Sequence, residues 1–241
     1  MHNELLRLLF KIETVSALVV DGQGRIVEFE RVAAALRDDN IIQAFALAPG
    51  GTISTVFPVS PDNNMLIGQN MLSGGLGCNE VLRARHASRL TLTGPVVLPN
   101  GNSALVGRLS LYLNDSQKHA QYWGTAAIFL RFPDVLDVSD LYMLDSMHIP
   151  FGIWRDGKNR DEANLLAGSM TSANGPVTVE IPLNLFNTKW TIRIASGEAW
   201  YQSLESWLYV GMSVLLSLFL SILVQRNYEL TGIRKYLEAI A

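Results

Sequence analysis

The sequence is poor in the residues that build disulfides, metal sites and basic surfaces. Its only cysteine, Cys78, cannot form an intrachain disulfide and has no partner for a C-x-x-C site. The four histidines, His2, His86, His119 and His148, are scattered without metal-ligand spacing. A net charge of −3 argues against nucleic acid as a partner. The composition predicts neither a metal nor a cofactor.

Motifs for catalysis are also missing. The sequence has no nucleophile elbow, no Ser-His-Asp arrangement and no cluster of acidic residues in an apolar context. The segment "GGLG" at 74–77 lacks the lysine and the strand-to-helix context of a phosphate-binding loop. We therefore expect that the protein is not an enzyme.

One long apolar run dominates what is present. Trp207–Val224 contains eighteen residues without a charge, enough for a helix of about 27 Å at ~1.5 Å per residue. A buried core helix is the alternative, but the run is apolar on all sides and Trp207 and Tyr209 are typical interface anchors. The run predicts a single membrane span.

The charges beside this run predict its orientation. Two acidic residues, Glu198 and Glu205, precede it, whereas Arg226, Arg234 and Lys235 follow it. Basic flanks favour the cytoplasmic side. We expect a protein of the cell inner (plasma) membrane whose N-terminal domain is periplasmic or extracellular.

The N-terminal segment does not look like a signal peptide or a span. Charged residues interrupt "MHNELLRLLFKIETVSALVV", and its apolar residues recur at helical spacing. These apolar residues are Leu5, Leu6, Leu9, Phe10 and Ile12. We expect a long N-terminal helix, and a first membrane segment upstream of residue 1.

Strand and helix patterns then predict an α+β protein. Two strands lie around "PGG" in 41–59, a helix begins near Asn79, and a hairpin follows in 89–113 with Asn100 and Gly101 as its turn. A fifth strand covers 121–132. Two strands, helices and three antiparallel strands is the order of a PAS-like sheet.

After residue 134 the sequence predicts a second, smaller set of helices and strands. A helix at 138–147 and a strand at 151–156 precede a polar loop, and strands at 177–183 and 190–196 form a pair. We therefore predict five segments: a helical stalk at 1–40, a PAS-like domain at 41–133, a membrane-proximal α+β subdomain at 134–203, a transmembrane helix at 207–224 and a cytoplasmic signalling-helix stub at 225–241.

Several motifs in this order resemble those of the CHASE sensory domain. They are "LAPGGTISTVFP", "MLIGQNML", "VLRARHASRLTLTGPVVL", "ALVGRLSLYL", "YWGTAAIFL" and "KWTIRIASGEAWY". The resemblance covers roughly residues 41 to 200. It implies a dimeric extracellular or periplasmic ligand sensor of a receptor histidine kinase, a cyclase or a GGDEF or EAL protein, with a span on each side.

Strand alternation points to one candidate ligand site. Leu105, Leu109, Leu111 and Leu113 share one face of their strand, whereas Arg108, Ser110 and Tyr112 share the other. The second face suits either bulk water or a ligand cavity. The predicted cavity residues are Thr91, Thr93, Arg108 and Tyr112, with Tyr122 and Trp123 as an aromatic cap.

Two functions follow from these observations. The first is a ligand-sensing receptor domain that binds an anionic or amide-bearing small molecule and signals across the membrane as a homodimer. The second is a membrane-anchored envelope interaction protein without a small-molecule ligand.

Two further arginines, Arg83 and Arg85, are weaker ligand candidates, because positions two apart on a helix cannot both face one pocket.

Overall fold

The computed structural model describes most of the chain. Described residues are 2–25, 27–37, 40–72, 89–114, 119–139, 141–147, 149–155, 164–170, 179–195 and 204–238. They divide into two compact units, Met1–Ala195 and Ser196–Ala241. The predicted helix near Asn79, with Arg83 and Arg85, lies outside the described residues.

The chain opens with two helices, α1 at His2–Asp21 and α2 at Phe29–Leu36. The buried side of α1 carries apolar residues at helical spacing: Leu5, Leu8, Leu9, Ile12, Val15 and Val19. The prediction of a long N-terminal helix is confirmed. The second helix begins at Phe29, and Val27, which precedes it, is exposed.

The first sheet has five antiparallel strands. They are β1 (Ile42–Pro49), β2 (Thr55–Phe57), β3 (Thr91–Val97), β4 (Ser103–Asn114) and β5 (Ala120–Arg131), with the short helix α3 (Pro61–Asn64) after β2. Their spatial order is β2-β1-β5-β4-β3. This order confirms the PAS-like sheet that the sequence predicts.

The turn between β3 and β4 differs from the prediction. The Leu98 amide donates to the Asn102 carbonyl at 2.8 Å, so three residues, Pro99, Asn100 and Gly101, form the turn instead of two. Three-residue turns of this kind end in a residue of left-handed conformation, and Gly101 has φ +82°. Proline presets the backbone at the first turn position, which explains the longer turn.

The second sheet has four antiparallel strands. A 3₁₀-helix (Asp134–Ser139) and α4 (Leu141–Ser146) precede β6 (Phe151–Arg155), β7 (Asn164–Gly168), β8 (Val179–Leu185) and β9 (Thr188–Ile194). Their order is β7-β6-β9-β8. The predicted pair at the end of the subdomain is confirmed as β8 and β9, but β7 lies where we expected only a polar loop.

One apolar core joins α1 to both sheets. Leu9 of α1, Leu105 of β4 and Ile192 of β9 belong to the same buried cluster. Gly107 lets α1 approach, because a Cβ there would lie 2.6 Å from Leu9 Cδ2. The leucine face of β4 is therefore the core face, as its alternation predicts.

The second unit contains α5, Leu204–Glu238. Within it, Trp207–Tyr228 is long and apolar enough to cross a membrane, with a mean hydropathy of 2.2. The side chains of Trp207 to Tyr228 are exposed. This helix agrees with a single-pass membrane protein.

Candidate ligand-binding site

Arg108 lies in the middle of the first sheet. Thr91 of β3 is its cross-strand partner on one side and Ala127 of β5 on the other. Cross-strand partners point to the same face of a sheet. The β4 strand therefore places Arg108 on the face that lies opposite α1.

The Arg108 side chain is buried, with only 2% of its surface exposed. Its Nη1 donates a hydrogen bond to Thr93 Oγ1 at 2.8 Å. The hydroxyl of Thr91 donates to the carbonyl oxygen of Arg108 at 3.5 Å, and both threonines are buried. A guanidinium is costly to bury without hydrogen bonds. The bond to Thr93 offsets part of this cost and holds the guanidinium in one position. A solvated position for Arg108 is thereby excluded.

Alanines line the sheet beside Arg108. Ala46 of β1 pairs with Ala127 of β5, which pairs in turn with Arg108. Ala44 and Ala48 flank Ala46 at the alternate positions of β1, and all four alanines are completely buried. Alanine side chains project less far from the sheet than leucine or phenylalanine side chains would, so they leave more space above the sheet at these positions. The structure places these four alanines on the face of Arg108, and the alternating alanines of "AFALA" were the sequence signal for three of them, Ala44, Ala46 and Ala48.

Hydroxyl groups lie beyond Arg108 on the same face of the sheet, and together with the arginine they form a polar strip. Thr125 is buried and pairs with Ser110, two residues beyond Arg108 on β4. The Tyr122 hydroxyl and Thr125 Oγ1 are 2.8 Å apart and share a hydrogen bond. The rings of Tyr112 and Tyr122 meet edge to face, with 5.7 Å between their centroids. Tyr112 and Tyr122 thus close one end of the strip.

Trp123 is not brought to this site. The pairing of β4 with β5 shifts between Leu111 and Tyr112, so that Tyr112 is opposite Tyr122. This bulge turns Tyr122 toward the Arg108 face and leaves Trp123 packed against the core on the α1 side. A Cβ on Gly24, which follows α1, would lie 2.6 Å from Trp123 Nε1. Adjacent strand residues face opposite ways, so Tyr122 and Trp123 do not cap one cavity together.

A concave region lies where β4 begins and β5 ends. This cleft of about 510 Å³ is lined by Ser103, Phe132, Pro133, Phe151, Leu166, Ala167, Gly168 and Ser169. Arg108 is not part of its lining. Across the described ranges, no group of three His, Cys, Asp or Glu side chains is placed to hold a metal ion.

Solved structures share this architecture at low sequence identity. An extracellular ligand binding receptor from Desulfohalobium retbaense is 11% identical, with a TM-score of 0.57. The match covers 80% of this chain but only 37% of that receptor. At such identity the likeness shows the fold alone.

Two further solved structures are more distant in shape. The ligand-binding domain of the Campylobacter jejuni chemoreceptor Tlp3, in complex with 4-methylisoleucine, is 8% identical at a TM-score of 0.46, over 80% of this chain and 87% of that one. The LuxQ periplasmic domain of Vibrio cholerae is 10% identical at a TM-score of 0.40, over 81% of this chain and 92% of that one.

The sequence itself matches one family. No curated protein sequence matches this chain. The CHASE domain profile matches residues 27–166, more than half of the chain, and this range contains the whole first sheet and its Arg108 face. The chain belongs to the CHASE domain family of extracellular sensory domains.

Proposed function

We propose that this chain is the sensor part of a bacterial membrane receptor and that the Arg108 face binds a small molecule bearing a carboxylate or an amide. The observation that carries the proposal is the buried Arg108, bonded to Thr93 and set beside a row of alanines. The planar guanidinium can hold a carboxylate through two parallel hydrogen bonds. An amide oxygen accepts from the same N–H groups.

A ligand explains this face better than simple core packing. The opposite face of the same sheet is a leucine-rich core with α1, as the burial of Leu105 and Leu111 shows. On the Arg108 face, Val106 and Phe129 belong to an apolar cluster on one side of the arginine. On the other side, Ser110 and Thr125 stand where a continuous core would use large apolar side chains. A small molecule bound against this part of the sheet would accept hydrogen bonds from the guanidinium.

The receptor architecture follows from the apolar helix. Trp207–Val224 crosses the inner membrane, and the basic residues Arg226, Arg234 and Lys235, which follow it, remain in the cytoplasm. The PAS-like domain at 41–133 and the membrane-proximal subdomain at 134–203 then lie outside it. The receptor acts as a homodimer, and its output is a cytoplasmic enzyme such as a histidine kinase or a cyclic-di-GMP enzyme.

The test is a thermal-shift screen on the full chain in detergent. Amino acids, organic acids and purine-like compounds are screened against the wild type and against Arg108→Met. A ligand present at 100 times its Kd stabilises the wild type by about 2.7 kcal/mol. We expect this shift to disappear in Arg108→Met while the unliganded variant stays folded.

Arg193 offers a matched control. It is also a buried arginine, but it lies in β9 of the second sheet, where its guanidinium stacks over Trp154 at 5.3 Å. Arg193→Met should retain the ligand shift even if its stability changes. Equal shifts in the wild type and Arg108→Met would remove Arg108 from the site, and a panel without any shift would count against a carboxylate or amide ligand.

A further inference from the structure

The turn between β8 and β9 is held in a conformation that its sequence does not favour. Leu185 pairs with Thr188, so only Phe186 and Asn187 form the turn. Phe186 has φ +46°, in the left-handed region. Two-residue hairpin turns normally place glycine, asparagine or aspartate at such a position, and a bulky residue there is strained. Such strain persists where the surroundings hold the residue in place.

Two contacts from outside the second sheet hold this turn. The Phe186 ring packs edge to face on Phe10 of α1, with 5.9 Å between the centroids at 81°. The Asn187 Oδ1 accepts a hydrogen bond from the Leu92 amide at 2.7 Å. Leu92 belongs to β3, so the turn of the second sheet is fastened to the first sheet.

The strand that receives this bond is the one that carries Thr91 and Thr93. β3 is the edge strand of the first sheet, and edge strands present backbone groups that lack a partner strand. Asn187 satisfies the amide of Leu92, which lies between the two threonines. The Nη1 of Arg155, at the end of β6, lies 3.5 Å from the carbonyl oxygen of Gly94, directly after Thr93. The second sheet therefore holds β3 on both sides of Thr93.

We propose that Asn187 is a positioning residue of the ligand site and the point at which the second sheet senses that site. Asn187 fixes β3, and β3 fixes the Thr93 hydroxyl against Arg108 Nη1. A ligand that binds Arg108 or Thr93 and moves either side chain displaces β3. The turn transmits this displacement to β9, which is the last strand before the apolar helix in the chain. This inference rests on the proposed function, since it assigns the route by which ligand binding is sensed.

The proposal requires reciprocal effects. If Asn187 and Thr93 are coupled through β3, a change at either residue must alter the other to the same extent in free energy. The coupling is measurable without any ligand. Hydrogen exchange on the full chain in detergent measures the exchange rates of the Leu92 amide and of the amides in the turn at 186–188 in one experiment.

Four variants provide the test. Asn187→Ala should speed exchange at Leu92 by roughly fivefold or more, the lower end of usual coupling factors. Asn187→Asp keeps an acceptor oxygen and should restore protection. Thr93→Val, which removes only the acceptor for Arg108, should speed exchange in the turn. Asn184→Ala is the control, because Asn184 is an exposed asparagine of β8 in the same sheet, and it should leave Leu92 unchanged.

The outcomes separate this inference from the proposed function. Unchanged exchange at Leu92 in Asn187→Ala, or an unchanged turn in Thr93→Val, would overturn the coupling. Asn187→Asp that exchanges as fast as Asn187→Ala would overturn the role of the acceptor oxygen. A failed ligand screen with both exchange effects present would overturn the proposed ligand and leave the coupling of the two sheets in place.

Discussion

At the residue scale, the properties of the Arg108 face depend on side-chain size as much as on charge. Ala127 pairs directly with Arg108, and Thr91 does so from the other side. Both neighbours are small, so little side-chain volume flanks the guanidinium within the sheet, although Arg108 itself is buried. Exchanging a small residue for a larger one therefore tests the site without removing any polar group.

Ala127→Val should abolish ligand stabilisation while Arg108 and Thr93 remain. Two added methyl groups beside the guanidinium occupy the space that we assign to the ligand. If the space is a ligand cavity, the free energy of unfolding without ligand should change by less than about 1 kcal/mol, whereas overpacking of a filled core costs typically 1–3 kcal/mol. Urea unfolding and the thermal-shift screen measure the two quantities. A large loss of stability would show that the face is already filled.

Gly124 should be less tolerant of alanine than Gly107, the other glycine on the pairing of β4 with β5. A Cβ there would lie 2.3 Å from the Ala48 carbonyl oxygen and 2.8 Å from Pro49 Cα, which are backbone atoms of the neighbouring strand. At Gly107 the nearest atoms, Leu9 Cδ2 and Ile128 Cγ2, belong to side chains that can move. We expect Gly124→Ala to cost about 3 kcal/mol and Gly107→Ala less, by urea unfolding. The reverse order would contradict this reasoning.

At the scale of elements, α1 is part of the core and β5 determines the site through its bulge. The buried side of α1 contacts both sheets through one apolar cluster. The bulge opposite Leu111 and Tyr112 decides which aromatic residue of β5 joins the Arg108 face. Helix packing stabilises the domain, whereas strand pairing selects the side chains of the site.

Leu9→Ala should be among the most destabilising single changes in α1. The Leu9 side chain is completely buried and packs where Gly107 opens the sheet. Truncating a buried leucine to alanine costs typically 2–5 kcal/mol. Thr14→Ala, on the exposed side of the same helix, should change stability by no more than about 0.5 kcal/mol. Chemical denaturation of both variants checks this, and similar values would mean that α1 does not pack on the sheet.

At the scale of the whole molecule, the apolar helix sets the proposed topology. Trp207–Tyr228 has the length and hydropathy of a span, and its basic flank lies on the C-terminal side. The proposed arrangement places the ligand site and the signalling end on opposite sides of the membrane. A reporter enzyme fused on either side of the helix can therefore show which side of the membrane each end occupies.

Alkaline phosphatase fusions test this topology. The chain is expressed behind a cleavable export signal, with the enzyme joined either before Glu205 or after Ala241. We expect activity only for the first fusion, because the phosphatase is active only outside the cytoplasm. Replacing Arg226, Arg234 and Lys235 by glutamine should weaken this difference if the basic residues determine orientation. Activity only for the second fusion would reverse the topology.

The sequence by itself determined the elements whose signals are local. Helical spacing predicts α1, alternation predicts β4 with its leucine face, and an uncharged run predicts the apolar helix, since each pattern depends on neighbouring residues only. The same alternation placed Arg108, Ser110 and Tyr112 together. The order of motifs predicted the family, and the order of strands predicted the PAS-like sheet.

Only the tertiary structure decided which distant residues meet. Cross-strand register joins Thr93 to Arg108, and a bulge separates Trp123 from Tyr122, because one inserted residue reverses every later side chain. The short strand β7 has too weak a pattern to be distinguished from a loop. The bond from Leu92 to Asn187 links residues 95 positions apart, a distance at which no local pattern carries information. Local periodicity decides what each segment becomes, and packing decides what each side chain contacts.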